Sequence, residues 1–193
     1  MSLRFRVLNS VLFNLIWFAC LLGPGWGLPW LGPVSTAAWL VVHFRYVHAP
    51  RPEGWLLLVA GLLGYVTDST LTAFGILQFP DEVRALSWFG PTTTWMISLW
   101  VAFAATLYHS WSWVRHLGLA AIFGGVFAPL SYLAGERLGV VTIDGKRGVA
   151  FIAIAWLLVL PTLVFVRDRL LPTGQLPPEA TVPPDDTSNG DDE

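Results

Sequence analysis

Charge is in short supply: Asp, Glu, Lys and Arg make up 12% of the 193 residues, against about 25% in an ordinary soluble domain. With a mean hydropathy of +0.60 and several apolar runs of bilayer length, that shortage excludes a water-soluble core. Cysteine is nearly absent too. The single Cys20 rules out an intramolecular disulfide and any multi-cysteine metal site. The bases are scattered among apolar segments and do not cluster on a face, so no nucleic-acid partner is expected. The sequence has no phosphate loop, dinucleotide fingerprint, zinc-protease motif or Gly-x-Ser-x-Gly elbow.

The apolar runs predict an all-α fold, a polytopic transmembrane bundle of about six helices within residues 1–171. The expected helices cover 7–22, 34–47, 53–79, 91–109, 114–138 and 148–166. A signal peptide cleaved before Cys20 fits poorly, because Trp17 and Phe18 are bulky where small residues are wanted and Asn9, Ser10 and Asn14 interrupt the run. The link 23–33 holds four Gly, three Pro and no charge, which breaks the chain between the first two helices. Residues 172–193 form a second region with five Pro and six acids (Glu179, Asp185, Asp186, Asp191, Asp192, Glu193), a composition that predicts disorder.

That tail sets the net charge of −2, and without it the chain is basic. With a cytoplasmic N-terminus, Arg4, Arg6, Arg45, Arg51, Arg115, Arg167 and Arg169 fall inside, and Arg84, Arg137, Lys146 and Arg147 fall outside. Seven bases against four favour both termini in the cytoplasm. The lipid bilayer is the expected surrounding, with a second copy or another membrane protein as partner. No cofactor is expected.

Asp68 is the only charge between Glu53 and Asp81. Near the centre of a membrane helix an ionised side chain costs at least about 2.5–3.5 kcal/mol, so it needs a partner, a proton or a water pocket. Gly61, Gly64, Asp68, Thr72 and Gly75 recur at helical steps and make one small, polar face. A fuller stripe runs through Gly118, Ala121, Gly125, Ala128, Tyr132, Gly135 and Gly139, and a shorter one through Thr94, Ser98, Ala102, Ala105 and His109. Small stripes let membrane helices approach closely, so the third, fourth and fifth helices are expected to pack together, with Asn14 of the first nearby. Packing alone explains such stripes. They equally suit a polar pocket lined by Asp68, Thr72, Ser98, Tyr132 and Asn14, binding a proton or small ligand.

The histidines are weaker candidates. His43 and His48 are off a common helical face, and a predicted turn separates His109 from His116. A metal site commonly needs a close ligand pair, so no metal is expected. Glu136 and Arg137 suit the capping or anchoring of a helix end.

The stretches Asn14-Leu15-Ile16-Trp17, Gly64 to Gly75 with Asp68, Leu99-Trp100 with Phe103 to Thr106, and Gly124 to Gly139 with Pro129, Ser131, Tyr132 and Gly135 resemble a family. It is an uncharacterised bacterial inner-membrane family, domain of unknown function 2878. The resemblance covers about residues 7–166 and leaves out the acidic tail. It implies a multi-helix inner-membrane protein with no established activity, and the frequent placement of members beside lipid-modifying enzymes points toward envelope lipid metabolism. Two functions remain open from the sequence. One is a non-enzymatic accessory or small-ligand or lipid-binding component; the other is an intramembrane enzyme or proton-coupled transporter using Asp68.

Overall fold

Six helices carry the chain in the computed structural model, which describes residues 3–47 and 49–170; His48 and the acidic tail lie outside the described residues. The helices are α1 (Leu3–Gly25), α2 (Leu31–Tyr46), α3 (Pro50–Ala73), α4 (Thr94–Ala104), α5 (Leu117–Arg137) and α6 (Gly145–Leu170). Two short strands, β1 (Leu77–Gln78) and β2 (Thr142–Ile143), pair antiparallel. Four of the helices, α1, α3, α5 and α6, are long and apolar enough to cross a membrane. The other two differ from expectation. At 16 residues for α2 and 11 for α4, both fall short of the ~20 that a bilayer core needs.

The helix ends explain where expectation and structure part. α1, α3 and α5 each stop at a glycine with positive φ, namely Gly27 (74°), Gly75 (71°) and Gly139 (74°). In each the residue after the glycine donates its N–H back to the carbonyl five positions earlier, as in Leu28 to Gly23, Ile76 to Leu71 and Val140 to Gly135. That closure satisfies orphan carbonyls and ends the helix. α3 therefore ends at Ala73 instead of reaching 79, and Gly75 belongs to its cap, not its face. α4 begins later than expected because the Thr93 hydroxyl accepts the Met96 N–H and sets the first turn, leaving Pro91 outside. It ends at Ala104 in a series of tight turns running to Val114.

Packing departs from the expected trio of α3, α4 and α5. α5 lies chiefly on α6, and α3 packs against α4 and α6. The cause is Gly124 on α5, where an added Cβ would collide with the Trp156 backbone carbonyl, beside Gly125 against Leu157. Such close backbone approach is how membrane helices gain dispersion contacts when lipid removes the hydrophobic drive between them.

Contacts at the two ends show that the chain alternates direction. Asn9 donates to the Ala105 carbonyl (3.3 Å) and Ser110 donates to Asn9, while Arg167 donates to the carbonyls of Leu107, Trp111 and Val114. The start of α1, the α2–α3 turn, the segment after α4 and the end of α6 therefore share one end. At the opposite end the β1–β2 ladder joins the α3–α4 loop to the α5–α6 loop, where the Glu136 carboxylate accepts the Ile143 N–H at 2.9 Å.

Candidate functional site

Asp68 lies toward the C-terminal end of α3, five residues before Ala73, and is fully buried. Two aromatic donors hold it. Tyr132 of α5 donates its phenol to Oδ1 at 2.5 Å, and Trp100 of α4 donates its indole N–H to Oδ2 at 2.8 Å. Each carboxylate oxygen thus has a partner, which offsets the desolvation of a group that lipid cannot solvate.

The sequence prepares this seat through glycine. A Cβ on Gly64 would occupy the Trp100 indole ring, and one on Gly61 would lie 3.3 Å from Val101 Cγ2. Their absence lets the flat face of Trp100 lie on α3 one turn before Asp68. Trp156 of α6 stacks on the far side of the same ring, with centroids 4.5 Å apart and planes at 22°. Helices α3, α4, α5 and α6 therefore all contribute to positioning one carboxylate.

Of the five residues expected to form a pocket, the structure brings Asp68 and Tyr132 into contact. Thr72 donates to the backbone carbonyl of Asp68 at 2.8 Å, Ser98 to Thr94 at 2.9 Å and Asn14 to Ser10 at 2.8 Å. These groups satisfy their own helices, and none of them bonds to the carboxylate. Trp100 is the partner that sequence reasoning missed. The available signal was its place in mid-helix, away from the boundaries where membrane tryptophans gather.

Next to this centre lies a cavity of about 270 Å³ among α1, α4, α5 and α6. Phe13, Phe103, Phe123, Phe127, Trp100 and Trp156 supply aromatic walls, and Gly124 and Ala128 leave the space. Polar groups enter at few points. Tyr132 and Asn14 line the cavity, as does Ser131, whose hydroxyl accepts the Trp17 indole N–H at 2.9 Å. The indole N–H of Trp156 is turned toward the Tyr132 hydroxyl and is shielded from the cavity. The arrangement can hold an apolar body against a wall with few polar groups.

A second polar cluster forms at the end that gathers the α2–α3 turn. His43 of α2 meets Glu53 of α3 at 2.7 Å, and His109, in the turns after α4, reaches the same carboxylate at 3.0 Å. All three are buried. The sequence offered no close histidine pair, but the fold makes one from residues on separate elements.

Among families of known proteins, the model described as "Protein of unknown function (DUF2878)" matches residues 6–162. No curated protein and no solved structure matches the chain.

Proposed function

The chain belongs to the DUF2878 family, which lends it no activity, and from its own chemistry we propose a non-enzymatic lipid-binding component of a bacterial inner membrane, accessory to envelope lipid metabolism. The observation that carries this reading is the aromatic cavity beside Tyr132. Asn14 lies midway along α1 and Ala128 midway along α5, so the cavity sits at the depth of lipid acyl chains. Phe18 and Phe127, half exposed on its rim, face the surroundings where those chains are. An acyl or prenyl chain fits such a lining, which is almost wholly apolar and aromatic. The seven bases at the end shared by the start of α1 and the end of α6 support a cytoplasmic position for both termini.

An enzyme or proton-coupled transporter working through Asp68 has less support, because both carboxylate oxygens are engaged by a phenol and an indole. Asp68 acts in this reading as the brace that orients Tyr132 at the cavity wall. Native mass spectrometry of the full chain in lipid nanodiscs tests the proposal. Retained lipid is expected with the wild type, and Ala128→Phe, which fills the cavity, should release it while leaving helical content unchanged. A wild-type chain that retains none, or an Ala128→Phe variant that retains as much, overturns the reading. An unchanged lipid profile in a deletion strain would remove the metabolic link.

A further inference from the structure

We propose that His43, Glu53 and His109 form a binding site for a divalent transition-metal ion of the zinc type, separate from the Asp68 centre. The three residues come from three elements: the last turn of α2, the first turn of α3 and the turns that follow α4. Their ligand atoms all lie within 4.8 Å of one another. Both imidazoles present Nε2 to the same carboxylate, His43 at 2.7 Å from Oε2 and His109 at 3.0 Å from Oε1. The two rings stand 5.0 Å apart at 74°, so they converge on the carboxylate edge instead of stacking.

Two imidazole nitrogens and a carboxylate oxygen are the donor set that zinc and its neighbours in the first transition row favour. Metal bonds of about 2.0–2.2 Å with tetrahedral angles separate the ligand atoms by about 3.4 Å. The Nε2–oxygen contacts need to widen by only several tenths of an ångström for an ion to enter between them. On binding, each Nε2 gives its lone pair to the metal, and any proton it carried leaves to solvent. Three protein ligands leave a fourth position for water or another oxygen.

The surroundings favour an ion as well. Phe5 packs edge-on against His109 and Trp39 tilts against His43, each with centroids 5.2 Å apart. A carboxylate walled in by aromatic rings gains more from a divalent cation than one in water does. The ion would also tie the turns after α4 to α2 and α3, at a point where no helix continues.

The test uses the full chain, purified without a histidine tag and stripped of metal, then titrated with Zn²⁺. Roughly one ion per chain is expected for the wild type and for His116→Ala, an exposed histidine outside the cluster, with His109→Gln and Glu53→Gln binding at least roughly tenfold more weakly. Wild-type protein that takes up no Zn²⁺ at micromolar free ion overturns the proposal. So do cluster variants that keep wild-type affinity. Should those variants fail to fold, X-ray absorption on the zinc-loaded wild type decides: two imidazoles and an oxygen in the first shell support the site, and sulfur or fewer imidazoles refute it.

Discussion

Glu53 and Asp68 ride on the same helix, fifteen residues and about 22 Å apart along its axis, and each accepts hydrogen bonds on both carboxylate oxygens. Their donors separate them. Asp68 is held by a phenol and an indole, neither of which serves readily as a metal ligand or exchanges protons near neutral pH. Glu53 is held by two imidazoles, a ring type that readily binds metals. Helix α3 thus carries one closed centre toward its C-terminal end, beside the cavity, and one exchangeable centre in its first turn. The comparison shows that a buried acid is defined less by its depth than by what its donors are able to do.

The largest effect is expected at the glycine beneath the Asp68 centre. Gly64→Ala should destabilise the protein by about 3 kcal/mol, because the new Cβ would occupy the Trp100 ring that braces Asp68. Thermal unfolding followed by helical circular dichroism in mild detergent would show it as a large drop in midpoint. Asp68→Asn comes next, at about 1–3 kcal/mol, since the amide keeps one acceptor and turns its NH₂ toward a donor. That loss should be the same with and without Zn²⁺, whereas the cost of Glu53→Gln should grow when Zn²⁺ is present. Tyr132→Phe should cost about 1 kcal/mol, because one membrane hydrogen bond is lost and the Trp100 bond stays. The same unfolding assay on Gly54→Ala, next to Glu53, should show a change within about 1 kcal/mol and toward stability, as nothing lies within 4 Å of that Cβ. Smallest are Thr72→Ala and Ser98→Ala, within about 0.5 kcal/mol, since their hydroxyls bond only their own helix.

The six helices were legible because apolar runs and breaks mark them directly. Their ends were less so. Gly75 looks like a fifth small residue on the Asp68 face, and only the backbone reveals that it caps the helix instead. Asp68 and Tyr132 were legible for opposite reasons, a charge with no charged neighbour and an aromatic residue on a small stripe. Thr72 and Ser98 sit on polar faces, but a hydroxyl in a helix finds its preceding-turn carbonyl before any distant carboxylate. Trp100 was hidden by its type, since tryptophan in a membrane chain reads first as a boundary residue. His43, Glu53 and His109 were hidden by topology. The last of them lies 56 residues beyond Glu53, and no periodicity along the chain announces a meeting between a helix start and a turn.

The brevity of α4 bears on how the chain is assembled. Eleven residues rise about 16 Å, roughly half of a ~30 Å hydrocarbon core. The non-helical backbone on both sides must therefore be sheltered by protein. Thr92, Thr93, Thr106 and Leu107 are buried, and the carbonyls after α4 are capped from elsewhere, Ala105 by Asn9 and Leu107, Trp111 and Val114 by Arg167. Arg167 lies near the end of the last helix, so it leaves the ribosome long after the carbonyls it caps. The order of synthesis and the order of capping then differ: α4 is made fourth, but three of the carbonyls that follow it gain their donor only once α6 has been made.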